Sequence, residues 1–425
     1  MSLHGGEPAH TPLRAAEKSG LELLSPAGDM ECLEAALRFG ADAVYVGGPK
    51  LQLRAGSAGF SMPALAEAAE RVHGAGKKLY VTVNAFPDNR EIDALGDYAR
   101  ALFDLGADAA IVADLGAVAA MRAAAPGLEI HISTQANCLN YAAARVYHDM
   151  GAKRVVLGRE MTLEQIAELR ARTPASLELE AFVHGAMCMA YSGRCLISAY
   201  LTGRSANRGG CAQSCRWRYR LEEEKRPGEF FPVEEDAGGT TILSSYDLNC
   251  LDFMDRLIEA GVASFKLEGR MKSPYYVATV TNAYRRRIDE ILDGTGTPES
   301  LALLRRELDA ASHRAYASGF YFGEMKRHAP DGGTYLSDCT FVGVVRQRLP
   351  GGRARVELRN RIRAGEWLEV LSPAALGLGF AAANLADGDG APTDVAAVPR
   401  RLYDMDAPEG VAAGDFLRVR KPSQE

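Results

Sequence analysis

The sequence predicts an α/β protein: a (β/α)₈ TIM-like barrel followed by a small C-terminal antiparallel β-barrel. From residue 21 to about residue 294, eight short β-branched runs alternate with amphipathic helical stretches. These strands are apolar almost throughout, as in parallel sheets that are buried on both faces. After residue 323 the pattern changes to alternating strands broken by Gly and Pro, which is typical of small antiparallel barrels. An open doubly wound sheet is the alternative, but it seldom runs to eight regular units.

The eight strand candidates follow one another at regular intervals. In order they span 21–28, 43–48, 78–86, 109–116, 129–137, 154–160, 177–185 and 264–270. Most of the intervening helices end at a glycine, such as Gly40 or Gly106, directly before the next strand. Glycine there is expected in the left-handed conformation that ends a helix. In such a barrel the functional residues lie at the carboxyl ends of the strands.

The domain organisation follows from these patterns. We expect a disordered leader over residues 1–20, because this segment lacks the hydrophobic region of a secretory signal. The barrel is expected over 21–325 and the small β-barrel over 335–421. The seventh loop, over 186–250, is far longer than the usual two to six residues, and loops of this kind usually carry function.

Composition restricts the class of partner and the compartment. A formal net charge of −6 argues against a polyanion-binding surface over the whole molecule, although not against a local basic patch. No stretch approaches the roughly 18 apolar residues of a membrane span, so we expect no membrane partner. Without an export signal the thiols stay reduced, so we expect a cytoplasmic protein without a disulfide framework.

Five of the eight cysteines fall between Cys188 and Cys250. Thiolates brought together in this number hold an iron–sulfur cluster or a zinc ion. Cys188 and Cys195 are seven residues apart, which is two turns of a helix, and Cys211, Cys215 and Cys250 follow. Five candidates for four positions leave one cysteine spare. Zinc prefers short paired spacings, so the pattern favours an iron–sulfur cluster over zinc or over incidental buried cysteines.

The other three cysteines, Cys32, Cys138 and Cys339, stand alone in the sequence and are expected to pack in the core.

Arginine and aromatic residues lie beside the cysteines and recur in the second barrel. Arg216, Trp217, Arg218 and Arg220 are candidates for RNA binding, because guanidinium groups grip phosphates and aromatic rings stack on unpaired bases. A solvated loop whose Trp covers the cluster is the alternative. Seven arginines between 346 and 363, Arg355 and Arg359 among them, predict a second RNA-binding face.

Polar side chains at the predicted strand ends outline the mouth of the barrel, although any single one also fits a capping role. Arg159 and Arg270 are candidates for holding a dicarboxylate, because fork-shaped donors suit carboxylates. The candidates for proton transfer are His184, Glu160 and Glu268, and those for orienting a substrate are Asn84 and Gln135.

The segment EAFVHGAMCMAYSGRCLIS, residues 180–198, resembles the signature of the U32 family, historically called collagenase-like peptidases. It fills the pattern E-x-F-x-x-G-[SA]-hydrophobic-C-x4-G-x-C-x-hydrophobic-S without a departure. LSPAGDMECLEAALRFGADAVYVGG near the start and FKLEGRMKSPYYVATVTNAYR in the last barrel unit are similar to the same family. The resemblance spans residues 20–320, and the C-terminal strands resemble the small barrel of its longer members.

This resemblance implies a [4Fe–4S] cluster on Cys188, Cys195, Cys211 and Cys250, with Cys215 as the extra cysteine. Better-understood members hydroxylate RNA or quinone precursors, and the RNA branch implies prephenate as the co-substrate linked to oxygen donation. Length and layout are most similar to the branch that makes 5-hydroxyuridine at tRNA position 34. The implied partners are therefore the anticodon stem–loop of tRNA and a possible paired U32 subunit.

Two other functions stay open. A U32 peptidase would need a nucleophile with an adjacent base and an oxyanion site, yet neither GxSxG nor HExxH occurs in the sequence. A non-catalytic RNA-binding protein fits the basic second barrel but leaves the cysteines without a role.

Overall fold

A computed structural model of the protein describes residues 20–53, 59–188, 193–217, 246–323 and 335–422, together with the backbone of residues 235–236 and 239–240. Within these residues no helix has the length and apolar character that crossing a membrane requires.

Eight parallel strands form the first domain. They are β1 Glu22–Pro26, β2 Ala43–Gly47, β3 Lys78–Val83, β4 Ala109–Val112, β5 Glu129–Ile132, β6 Arg154–Val156, β7 Glu178–Ala186 and β11 Ser264–Leu267. Each strand pairs with the next, and β11 pairs with both β7 and β1, which closes the barrel. The predicted (β/α)₈ TIM-like barrel is confirmed.

Four short strands lie outside the barrel ring. They are β8 Glu235–Asp236, β9 Gly239–Thr240, β10 Asp247–Asn249 and β12 Tyr316–Ala317. Strand β10 runs antiparallel to the end of β7 and parallel to β12. The chain therefore returns from the barrel mouth toward its interior along β10.

The helices of the described residues are α1 Met30–Arg38, α2 Met62–Gly74, α3 Asn89–Asp93, α4 Leu95–Asp104, α5 Leu115–Ala124, α6 Tyr141–Asp149, α7 Leu163–Ala171, α8 Ile197–Thr202, α9 Met254–Glu259, α10 Pro274–Asp293 and α11 Pro298–Asp309. Side-chain oxygens cap many of them; Asp29 accepts from the backbone N–H of Cys32 at the start of α1. Gly40 and Gly106 have φ values of 99° and 94°, which confirms the predicted left-handed stops.

A buried ionic network fills the lower part of the barrel. Arg154 lies 2.5 Å from a carboxylate oxygen of Glu22, 2.7 Å from Glu178 and 3.1 Å from Glu180. The Lys266 ammonium lies 2.7 Å from the other oxygen of Glu180. The network thus links strands β1, β6, β7 and β11 beneath the mouth, and the charges offset one another because buried charges are tolerated when they are paired.

The second domain is a seven-stranded antiparallel sheet. Its strands are β13 Cys339–Leu349, β14 Arg353–Leu358, β16 Trp367–Leu371, β17 Gly379–Ala381, β18 Ala386–Asp387, β20 Leu402–Asp406 and β21 Phe416–Arg420, in the order β17-β16-β21-β13-β14-β20-β18. Strands β15 Ile362–Arg363 and β19 Val395–Ala396 pair separately. Because β17 and β18 end this sheet, the predicted antiparallel domain is a half-barrel.

Aromatic and ionic contacts join the two domains. The ring of Tyr275 on α10 stacks on Phe341 with a centroid distance of 5.1 Å. Arg418 on β21 is 3% exposed and pairs with Glu307 on α11 at 2.5 Å and with Glu369 on β16 at 3.0 Å. The second domain is therefore packed against helices α10 and α11, outside the ring of barrel strands.

Candidate active site at the mouth of the barrel

A cavity of about 150 Å³ lies at the carboxyl ends of the barrel strands. This is room for about ten water molecules at 10–15 Å³ each, so it suits a nucleobase or a small carboxylic acid. The strands and the turns after them contribute Tyr45, Thr82, Asn84, Ile111, Ser133, Thr134, Gln135, Val156, Arg159, Phe182, Ala186, Lys266, Glu268 and Arg270. The other side is formed by the chain that follows β7.

Four cysteines line this cavity: Cys188, Cys195, Cys211 and Cys215. Cys188 directly follows β7 and is exposed, and the other three are partly buried. The backbone N–H of Gln213 donates to the sulfur of Cys211 at 3.4 Å. The structure thus brings together three of the four predicted ligands and adds Cys215, which the sequence had left as the spare thiol.

Cys250 lies elsewhere. Its side chain is fully buried in the apolar core, and burial raises the pKa of its thiol far above the usual range. The reason is the direction of β10, in which Asp247 lies opposite Ala186 and Asn249 opposite His184. By residue 250 the chain has moved down beside β7, away from the mouth. The geometry therefore differs from the predicted ligand set at this one position.

The four cysteines at the mouth fit an iron–sulfur cluster in type of donor, since cysteine thiolates are the ligands of such clusters. A single metal ion needs its ligands within about 2.3 Å of one centre. Within the described part of the chain, no three His, Cys, Asp or Glu side chains are grouped so as to hold such an ion.

Close packing against the barrel fixes the position of Gly193, where the cysteine segment (residues 193–217, with Cys195, Cys211 and Cys215) begins. Gly193 has a φ of 73°, and a Cβ atom built there would lie 2.0 Å from the backbone oxygen of Gln135. Only glycine accommodates this conformation at this distance. Further along, the hydroxyl of Ser198 accepts from the N–H of Ala212 at 2.9 Å, which ties α8 to the Cys211 turn.

Three cationic side chains line the cavity, against one carboxylate. Arg159 donates to the backbone oxygen of Ala186 at 2.7 Å, and its Nη2 lies 3.7 Å from Glu268. Arg270 donates to the hydroxyl of Thr82 at 2.8 Å. The third is Lys266 on β11, whose ammonium pairs with the buried carboxylate of Glu180. This surplus of positive charge favours a small anionic ligand.

Sequence reasoning missed Lys266. A lysine inside the apolar run Ser264–Leu267 was the available indication, because a charge in a buried strand is almost never there for packing. Burial lowers the pKa of this lysine, and the attraction of Glu180 opposes that effect.

The two predicted orienting residues both lie in the cavity wall. Asn84 donates to the hydroxyl of Ser133 at 3.5 Å, which is a weak bond. Its carboxamide oxygen is buried and has no hydrogen-bond partner within the described residues. Gln135 lines the same wall, next to Gly193. Asn84 therefore presents an acceptor for which a ligand is the available donor.

Of the three predicted proton-transfer residues, only Glu268 lines the cavity. His184 is 1% exposed and packs among aromatic rings, 5.4 Å from those of Tyr284 and Tyr316. Burial lowers the pKa of His184 to about 3, with a further contribution from His313, so the imidazole is neutral. Glu160, half-buried, is absent from the lining. For His184 and Glu160 the strand-end position did not indicate on which side of the strand the side chain lies.

The predicted RNA-binding residues divide into three groups. Trp217 is 44% exposed at the end of a 3₁₀ turn, Ser214–Arg216, next to the cysteines. Arg218, Arg220 and the side chain of Arg216, which were also predicted to bind RNA, lie outside what the structure describes. Arg355 and Arg359, in contrast, have protein partners.

The guanidinium groups of Arg355 and Arg359 form ion pairs with carboxylates. Arg355 forms two hydrogen bonds, of 2.7 and 2.8 Å, with Asp404 on the neighbouring strand. Arg359 pairs with Glu31 of the barrel domain and, at 3.1 Å, with Glu357. Both arginines that were predicted to bind RNA therefore have carboxylate partners within the protein, and two of these partners, Asp404 and Glu31, are distant in the sequence.

A closed parallel barrel with a cysteine-lined cavity at its strand ends defines the class: a barrel protein whose active face carries a thiol-rich site. The chain belongs to Peptidase family U32, whose profile matches residues 28–330, and the profile of the Peptidase family U32 C-terminal domain matches residues 337–418.

Three relatives illustrate the range of names in this family. The chain is 36% identical to tRNA hydroxylation protein P of Escherichia coli (strain K12), over 83% of this chain and 86% of that protein. It is 35% identical to tRNA hydroxylation protein P1 of Bacillus subtilis (strain 168), over 94% of this chain and 95% of that protein. It is also 35% identical to a protein named collagenase from Porphyromonas gingivalis, over 71% of this chain and 74% of that protein.

Proposed function

We propose that this protein is a tRNA-modifying enzyme that hydroxylates the wobble uridine to 5-hydroxyuridine in the cytoplasm. The observation that carries the proposal is the composition of one cavity. Four cysteines and three cations line it, and no histidine is found among its described lining residues. Two relatives that match 83% and 94% of this chain are named as tRNA hydroxylation proteins.

The cysteines at the mouth are the proposed ligands of a [4Fe–4S] cluster, which would supply electron transfer when bound. Cys188, Cys195 and Cys211 belong to this set in both the family pattern and the structure. The cavity wall favours Cys215 as the fourth ligand, and the family pattern favours Cys250.

The cationic wall is the proposed site of a small dicarboxylate co-substrate, for which prephenate is the candidate. Hydroxylation replaces the C–H bond at carbon 5 of uracil by C–OH, which removes two electrons from the base. The step balances when the co-substrate donates one oxygen atom to that carbon and takes up the two electrons. Arg159 and Arg270 would hold its carboxylates, with Lys266 below them. Glu268 is the proton-transfer candidate that lines the cavity.

The target base must leave the anticodon stack to reach a cavity of this size. Unpaired anticodon nucleotides make this less costly than extruding a base from a duplex. Asn84 and Gln135 would orient the base, because a carboxamide offers one donor and one acceptor to its edge.

A U32 peptidase is the alternative that the name of one relative supports. A cysteine or serine peptidase needs a base beside its nucleophile. His184 does not fulfil that role, since it lies in the aromatic core outside the cavity. A non-catalytic RNA-binding protein remains the third class, and it would leave the four cysteines of the cavity without a role.

Nucleoside mass spectrometry of tRNA tests the proposal. A strain that lacks this protein should lose 5-hydroxyuridine derivatives, and the wild-type chain should restore them. Arg270→Lys should restore them poorly, because a lysine cannot reproduce a forked guanidinium contact. Unchanged tRNA in the deletion strain would overturn the proposal, and cleavage of denatured collagen that survives Cys188→Ala would favour the peptidase.

A further inference from the structure

Helix α8 presents an exposed apolar and aromatic face beside the cavity. Tyr200 is 88% exposed and Leu196 is 74% exposed. These residues are four positions apart, so their side chains project from the same face. Trp217 lies at the end of the 3₁₀ turn that packs against α8. Clustered exposure of large apolar side chains marks an interaction site.

The charge of this segment is of one sign. Residues 193–217 contain four arginines and no Asp or Glu. Arg208 is engaged by Glu91 at 3.1 Å. Arg194 and Arg204 are exposed, and neither forms an ion pair within the described residues. Guanidinium groups bind phosphates, and exposed aromatic rings stack on bases. The combination of both therefore suits a nucleic acid with unpaired bases.

The same segment forms one wall of the cavity. Cys195, Ile197 and Cys211 line it, whereas Leu196 and Tyr200 point to solvent from the same short stretch. A polymer bound on the outer face would therefore lie next to the wall of the cavity, because both belong to the same short stretch of chain.

We propose that the α8 face, defined as Leu196, Tyr200, Arg204 and Trp217, binds the unpaired RNA nucleotides next to the base that enters the cavity. Tyr200 and Trp217 provide rings for base stacking, and Arg204 contacts a phosphate. The inference rests on the proposed function and specifies how the substrate is held. A protein partner is the other class of occupant, but the excess of arginines over acids favours RNA.

Fluorescence titration of the full chain, purified without oxygen, tests this assignment. One probe is a hairpin RNA whose loop carries 2-aminopurine next to a uridine, and the other is a fully paired duplex with the same number of phosphates. Tyr200→Ala should weaken hairpin binding by about 5- to 150-fold and reduce quenching of 2-aminopurine. Tyr200→Phe keeps the ring and should bind within about twofold of the wild type.

The matched control is Phe103→Ala, since Phe103 is an aromatic residue that is 48% exposed on α4 and does not line the cavity. It should leave both affinities unchanged. An equal loss for hairpin and duplex, or no loss for the hairpin, would overturn the stacking assignment. A change in oligomeric state on Tyr200→Ala with unchanged RNA affinity would assign the face to a protein partner and also overturn it. The tRNA profile of the complemented deletion strain reports separately on hydroxylation, so either hypothesis can fail alone.

Discussion

The backbone N–H of Cys250 donates to the hydroxyl of Tyr284 at 3.0 Å, and that hydroxyl donates to the backbone oxygen of Val183 at 2.8 Å. This chain of hydrogen bonds fixes residue 250 in the core between α10 and β7. The Cys250 side chain is fully buried in the apolar core and does not line the cavity that the other four cysteines share.

The first prediction separates two cysteines. Cys215→Ser should lower bound iron and the broad visible absorbance, because it removes a thiol from the cavity wall. Cys250→Ala should keep both and should lower the free energy of unfolding by about 1 kcal/mol, as is typical of a buried substitution. Iron content per chain, absorbance spectra and urea denaturation measure these effects. Loss of iron in a folded Cys250→Ala variant, with iron retained in Cys215→Ser, would contradict this prediction. It would show that Cys250 is the fourth ligand, as the family pattern implies.

The second prediction concerns the start of the cysteine segment. Gly193→Ala should displace this segment and reduce bound iron, because the new Cβ meets a backbone oxygen that cannot move aside. Gly203→Ala is the matched control, since Gly203 has a similar φ of 69° but no atom within 4 Å of the added Cβ. Both variants share the left-handed strain of about 1–2 kcal/mol. Equal iron content in the two variants would show that the contact with Gln135 does not position the cysteines.

How far the sequence predicts this molecule depends on the range of the interactions involved. The barrel was predictable because its strands and the helix stops at Gly40 and Gly106 are local features. The cavity residues Arg159 and Arg270 were predictable because strand ends meet at one face of a barrel. The partners of Arg355 and Arg359 were not, since Asp404 and Glu31 reach them only through folding.

The cysteines show the same limit on a smaller scale. Cys188, Cys195 and Cys211 lie on one continuous excursion from the barrel mouth, and their common location follows from spacing. Whether Cys215 or Cys250 joins them depends on the path of the chain along β10. Pairing between β10 and β7 is a tertiary interaction, which the spacing of residues does not specify.

The third prediction compares Arg204, which is exposed, with Arg355, which forms an ion pair with Asp404. Arg204→Ala should weaken RNA binding and lower the slope of log affinity against log salt by about 1, as expected for one lost phosphate contact. Arg355→Ala should leave RNA affinity within about twofold, because Asp404 already holds that guanidinium group. Fluorescence titrations at several salt concentrations measure both. A larger salt effect for Arg355→Ala than for Arg204→Ala would return the RNA site to the second domain.

The fourth prediction is acid destabilisation through the network below the cavity. Burial alone would raise the pKa of Glu22, but attraction to Arg154 and hydrogen bonds from Arg154, Tyr80 and Ser264 outweigh it and lower that pKa from 4.5 to about 2. A carboxyl group whose pKa is lower in the folded state stabilises the fold above its unfolded pKa. This stability, about 3 kcal/mol, should be lost progressively as the pH falls from about 4.5 toward 2.

Other buried groups act in the same direction. The pKa of Glu180 is also lowered, since Lys266 and Arg154 outweigh the effect of burial. Burial lowers the pKa of His131 from 6.5, so the stability that neutral His131 contributes begins to fall at a higher pH than that of the carboxylates.

The variant Glu22→Gln isolates the contribution of the Glu22 carboxyl group, because Gln has the same shape and does not titrate. Urea denaturation between pH 7 and about pH 3 should show a smaller loss of stability for this variant than for the wild type. Parallel pH profiles for the two proteins would show that the contact between Glu22 and Arg154 does not lower this pKa, and that acid sensitivity arises elsewhere.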